Sequence, residues 1–141
     1  MTTTQLEQGG CLCGAVRYRI SGAPKVNDVC HCRSCRLAAG APSVAWTVVR
    51  AADFAFVAGE PTRHASSPGV VRTFCGVCGT SLTYRDDSRP DSVDITTATL
   101  DSPERFAPSF EIWMDHKIAW APSNAGLRRY PRSSKTSEPL P

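Results

Sequence analysis

A mainly β, single-domain fold with little helix is what this sequence predicts, on three observations. The chain has 141 residues, enough for one domain with its own core. Short β-branched or aromatic runs recur along it, separated by turn residues drawn from ten glycines, eleven prolines and scattered aspartates. All seven cysteines fall into three tight clusters that can tie such short strands together.

In chain order, Ala15-Val16-Arg17-Tyr18-Arg19-Ile20 alternates as a strand. Just before it, Cys11-Leu12-Cys13 reads as extended chain, in which side chains two residues apart share a face. Cys30-His31-Cys32 follows the same rule, and Arg33-Ser34-Cys35-Arg36-Leu37-Ala38-Ala39 then starts a short helix stopped by Gly40 and Pro42. Further strands are expected over residues 43–49, 70–74, 81–84 and 93–98. Between two of them, Cys75-Gly76-Val77-Cys78-Gly79 has the form of a zinc knuckle, with two thiolates converging across a tight turn. Trp46, Phe74, Trp113 and Trp120 are expected as core or pocket wall.

Charge argues against nucleic acid as a partner. The net charge is +3, and residues 124–141 account for it, with Arg128, Arg129, Arg132 and Lys135 against Glu138. The excess thus sits in a Pro/Ser-rich end rather than in a patch on the folded body. No apolar run approaches the roughly 18 residues of a membrane span, and the first residues lack the layout of a signal peptide. The expectation is a soluble, cytoplasmic protein without membrane contact, and the sequence carries no signal for an oligomeric state.

The odd cysteine count and the tight spacings disfavour a disulfide framework. A thioredoxin-like role for Cys75 and Cys78 needs a long helix after them, but Gly79-Thr80-Ser81-Leu82-Thr83-Tyr84 alternates as a strand. Metal is left. Cys11, Cys13, Cys75 and Cys78 make a closed four-thiolate set, whereas Cys30, Cys32 and Cys35 make three ligands and a vacancy. Structural zinc takes four protein ligands and catalytic zinc keeps a position open, so the missing fourth cysteine is itself the functional signal. Two other readings stand beside it: His31 as a fourth ligand, or three reduced and empty thiols.

The stretches Gly10-Cys11-Leu12-Cys13-Gly14-Ala15-Val16-Arg17-Tyr18, Cys30-His31-Cys32-Arg33-Ser34-Cys35-Arg36 and Arg72-Thr73-Phe74-Cys75-Gly76-Val77-Cys78-Gly79-Thr80-Ser81-Leu82 resemble the glutathione-dependent formaldehyde-activating enzyme family. That family, GFA for short, also includes centromere protein V. The resemblance runs over about residues 7–130, with Trp120 and Asn124-Ala125-Gly126-Leu127-Arg128-Arg129-Tyr130 resembling the family's late motifs. Arg128 replaces the usual proline there, and Glu111 stands where many members carry histidine. The resemblance implies antiparallel strands in an Mss4-like fold. It also implies two zinc ions, one structural on Cys11, Cys13, Cys75 and Cys78 and one more labile on Cys30, Cys32 and Cys35. A zinc domain is expected over residues 1–130, and residues 131–141 are expected to be a basic, disordered Pro/Ser-rich tail.

An open zinc can hold a small thiol as its nucleophilic thiolate, and addition to formaldehyde then yields a hemithioacetal. The expected activity is therefore a zinc-dependent carbon–sulfur lyase, similar to S-(hydroxymethyl)glutathione synthase. Cys30, Cys32 and Cys35 would carry the chemistry, and glutathione or a similar thiol with formaldehyde or a related aldehyde would be the substrates. His31 is read either as a proton shuttle or as a residue supporting the ligands, and Arg33 and Arg36 either as a carboxylate clamp or as a solvated face. The alternative is a non-catalytic, zinc-stabilised binding module, since fold alone does not decide between them.

Overall fold

The computed structural model describes residues 6–141. Its elements run β1 (Glu7–Gly10), β2 (Arg17–Ile20), β3 (Val26–Cys30), α1 (Arg33–Ala39), β4 (Val44–Arg50), β5 (Phe54–Ala58), β6 (Thr62–Ser67), β7 (Val70–Phe74), β8 (Ser81–Asp86), β9 (Ser92–Thr96), β10 (Phe110–Ile112) and β11 (Arg128–Arg129). The strands make a three-stranded sheet in the order β1-β2-β5 and an eight-stranded sheet in the order β11-β10-β3-β4-β9-β8-β7-β6. The fold is mainly β, and α1, with seven residues, is the one α-helix among the described residues. Most pairs are antiparallel as expected, but β10 runs parallel to both β3 and β11. The chain between β9 and β10 crosses over before rejoining the sheet, which a parallel pair requires.

Alternation along the strands gives the large sheet two faces with different tasks. Val49, Val93, Ile95 and Leu82 pack with Tyr18 and Ile20 of the small sheet, and with Val16, Leu100 and Phe106, in the main core. The opposite face carries Asp28 and Cys30 on β3, Trp46 and Val48 on β4, Asp94 on β9 and Tyr84 on β8. Leu82 and Tyr84 are two apart, yet they serve different faces. An irregularity in the β7–β8 ladder, where Thr73 pairs Thr83 but Phe74 pairs Ser81, switches the parity between them.

Two expected elements agree closely with the structure: the helix spans Arg33–Ala39 with Gly40 in the left-handed region at φ 62°, and β7 spans Val70–Phe74. The extended reading of Cys11-Leu12-Cys13 needs correction. Gly14 N–H donates to the Cys11 carbonyl (3.1 Å) and Cys11 N–H to the Val16 carbonyl (3.0 Å), so the segment is a tight turn. Gly14 takes φ 80° there, which a side chain would oppose. Trp120 is 73% exposed and joins neither core nor pocket, whereas Trp46 is 4% exposed and packs beside Cys30 and Cys35. Residues 131–141 follow β11. Trp113 N–H donates to the Arg132 carbonyl (3.2 Å), Asp115 N–H to that of Pro131 (3.0 Å), and Leu140 N–H to that of Arg129 (2.7 Å).

Candidate metal centres and their cavity

Cys11 and Cys13 come from the turn between β1 and β2, and Cys75 and Cys78 from the turn between β7 and β8. The two turns are built alike: Cys75 N–H donates to Thr80 (2.9 Å), Gly79 N–H donates to the Cys75 carbonyl (2.8 Å), and Gly79 has φ 84°. The four Sγ atoms lie within 4.8 Å of one another, with Cys11–Cys13 at 3.6 Å and Cys13–Cys75 at 3.8 Å. Tetrahedral zinc with bonds near 2.3 Å places its sulfurs about 3.8 Å apart, so this set fits the ion without rearrangement. Val16 N–H donates to Cys11 Sγ (3.2 Å) and Cys78 N–H to Cys75 Sγ (3.5 Å), stabilising the charged sulfurs. Hydrogen bonds from the Thr80 hydroxyl and backbone bring the Cys78 thiol down to about 5.

The other three thiols sit where β3 passes into α1, and their Sγ atoms also lie within 4.8 Å of one another. Cys30 ends the strand, Cys32 caps the helix by accepting from Cys35 N–H (3.3 Å), and Cys35 is buried in its first turn. Hydrogen bonds from Cys30, then Cys35, push the Cys32 thiol far below its ordinary range, while the same contact raises Cys30. Three thiols gathered in this way are a soft donor set suited to a cation.

His31 is not its fourth ligand. The ring is fully buried, its Nε2 pairs with Glu111 Oε1 at 2.8 Å, and Glu111 Oε2 accepts from Asn124 N–H at 2.9 Å. Position 111 points to the opposite side of β10 from Phe110 and Ile112, which line the cavity, so neither His31 nor Glu111 reaches a ligand there. The Glu111 departure is thus accounted for inside the fold. Glu111→Ala strands the buried His31 Nε2 and the part-buried Asn124 N–H and is expected to cost about 2–4 kcal/mol, whereas Glu111→Gln should cost less than half as much; urea unfolding of both variants checks this.

A cavity of about 560 Å³ opens onto the three thiols. Its wall includes Trp46, Tyr84, Ile112 and Trp113. Trp113 is the one non-glycine residue with a left-handed backbone among the described residues (φ 59°), a conformation that costs roughly 1–3 kcal/mol and sets its ring against the cysteine cluster. Apart from Arg33, sequence reasoning missed the wall's charged members. Arg72, 9% exposed, places Nη2 and Nη1 3.8 and 4.0 Å from Cys35 Sγ and lies 4.9 Å over the Tyr84 ring. Burial, and next the charge of Asp94, push Asp28 up to about 7. Arg33 lines the cavity, but Arg36 does not.

The two clusters predict two metal ions per chain of unequal affinity. Four thiolates enclose an ion, and three leave one side open to exchange. Elemental analysis of protein purified without chelator should give about two zinc per chain, one of them lost first to a chelator. A single tightly held ion, unaffected by Cys35→Ser, contradicts the division.

Comparison with known proteins agrees with the geometry. The family model described as "Glutathione-dependent formaldehyde-activating enzyme" matches residues 6–116. A Halomonas elongata protein named "Putative glutathione-dependent formaldehyde-activating enzyme" is 32% identical over 131 residues, covering 82% of this chain and 79% of its own. A Schizosaccharomyces pombe protein named an uncharacterized lyase is 32% identical over 78 residues, 55% of this chain and 56% of its own. A crystal structure of a Rhodobacter sphaeroides protein shares the fold at TM-score 0.55 and 23% identity, covering 67% of this chain and 87% of that one. With two knuckles closing one thiolate set and a three-thiol cluster facing a cavity, this chain belongs to the glutathione-dependent formaldehyde-activating enzyme family.

Proposed function

We propose that this chain is a zinc-dependent carbon–sulfur lyase that reversibly adds a small, glutathione-like thiol to formaldehyde or a related aldehyde. The observation that carries the reading is the cluster Cys30, Cys32 and Cys35, three ligands with no fourth among the described residues, at the wall of a cavity large enough for a thiol and a small carbonyl. Zinc, held by these three sulfurs, would supply a Lewis-acid position that favours the deprotonated form of a thiol near neutral pH. The chain's own residues do the rest. Arg72, beside Cys35 Sγ, offsets the negative charge that collects on the sulfurs. Trp46, Tyr84, Ile112 and Trp113 exclude water from one side and hold the carbonyl carbon close to the substrate sulfur. In the reaction the substrate thiol gives up its proton, its sulfur forms the C–S bond, and the carbonyl oxygen takes a proton to become the hydroxyl of the hemithioacetal. His116, on the same cavity wall, is available to exchange that proton, a role His31 cannot fill from its bond to Glu111. A cytoplasmic setting, where thiols stay reduced, suits this chemistry. Among the described residues no helix is long and apolar enough to cross a membrane.

The test is NMR exchange spectroscopy on equilibrated thiol, formaldehyde and hemithioacetal. Interconversion should speed up in proportion to zinc-loaded protein, above the spontaneous rate. If no thiol tested shows that proportionality, the non-catalytic binding module is the better description.

A further inference from the structure

The cavity has a second chemical end. Asp28 lies two residues before Cys30 on β3 and on the same face, about 6.6–6.8 Å away along the strand by strand geometry. It is 8% exposed, and its Oδ1 has no hydrogen-bond partner among the described residues. Three of the cations on the same wall, Arg89, Lys25 and Arg72, are engaged elsewhere. Arg89 Nη2 holds both oxygens of Asp94 (3.3 and 3.2 Å), and Lys25 Nζ bonds Ser92 Oγ (2.9 Å) and the Asp91 carbonyl (3.4 Å). Arg72 faces Cys35, and Arg33 and Lys135 are exposed. A buried carboxylate oxygen without a donor costs stability, and none of the described residues uses this one. Its cross-strand neighbour is Trp46, whose ring face attracts cations.

We infer that Asp28 forms an ammonium subsite, so that the thiol used at Cys30, Cys32 and Cys35 carries a primary ammonium group several bonds from its sulfur, seated between Asp28 and Trp46. This rests on the lyase reading above and narrows its substrate to aminothiols. Hydroxythiols and purely acidic thiols lack the group that would complete Asp28.

The experiment titrates cobalt-loaded protein with aminoalkanethiols of increasing length, each against the hydroxyalkanethiol of the same length, and reads the sulfur-to-cobalt absorption. Past a minimum length the amine should bind at least about tenfold more tightly, the equivalent of about 1.4 kcal/mol. Asp28→Asn should cut that preference to about twofold or less, while melting at or above the wild-type temperature because a buried charge has been removed. The same tight binding at every length with either head group overturns the subsite and leaves the lyase reading standing. A preference that survives in Asp28→Asn belongs to amine coordination of the metal and also overturns it, as does a variant that melts far below wild type with its preference intact. If no thiol perturbs the cobalt spectrum, the lyase reading falls and the subsite with it.

Discussion

Serine at Cys75 is expected to unfold the domain at ordinary temperatures, and serine at Cys78 to destabilise it in the same direction, while serine at Cys35 leaves melting within a few degrees of wild type. The four-thiolate cage ties the β1–β2 turn of the small sheet to the β7–β8 turn of the large one, so it closes the main core from both sides. Structural zinc contributes about 10–16 kcal/mol in small zinc modules, at least as much as the roughly 5–15 kcal/mol of a whole domain's net stability. Cys75, 1% exposed, also packs in that core, so its variant loses a ligand and a buried contact together. As metal ligands, Cys30, Cys32 and Cys35 would tie only β3 to the helix that immediately follows it, a local link the backbone already makes. Thermal unfolding of the three variants, purified without chelator, reads the difference. Equal losses at Cys75 and Cys35 would mean that the two clusters do not divide into a structural and a functional site.

Turnover should show the opposite pattern. Cys32→Ser and Cys35→Ser are expected to reduce the protein-dependent part of hemithioacetal exchange by more than about a hundredfold, beyond the 10–100-fold typical of losing an outer-shell partner. Arg72→Met, which removes the guanidinium from Cys35 Sγ but leaves the three sulfurs, belongs in that smaller range. Spontaneous addition of thiols to formaldehyde is easy, so only the component proportional to protein counts, and the folded serine variants supply the background. A Cys35→Ser protein that keeps most of the rate would move the chemistry away from this cluster.

Much of this was legible in the chain. The helix over Arg33–Ala39 could be read because its stop is local, Gly40 in the left-handed region, and β7 because Val70-Val71-Arg72-Thr73-Phe74 runs between turn residues. The division of the cysteines was legible because ligand number is written in spacing. The Cys11–Cys13 segment was misread because period-two logic presumes extended chain, whereas Gly14 and the Val16 carbonyl fold it into a turn. β10 and the His31–Glu111 pair were hidden, since eighty residues of chain separate two side chains that meet at 2.8 Å. The parity switch at Leu82 and Tyr84 had no local signal either, so the sheet face carrying Arg72, Asp28 and Asp94 could not be assembled from the sequence.

The most direct test of an open coordination position at Cys30, Cys32 and Cys35 is the visible spectrum of protein carrying cobalt at both sites, recorded as a small thiol is added. The four-cysteine site is closed and should not respond, whereas the three-cysteine site should gain a fourth sulfur, with sulfur-to-metal absorption rising to saturation at one thiol per chain and no rise in Cys35→Ser. A spectrum unchanged by any thiol, or a rise that persists in Cys35→Ser, would contradict the open site.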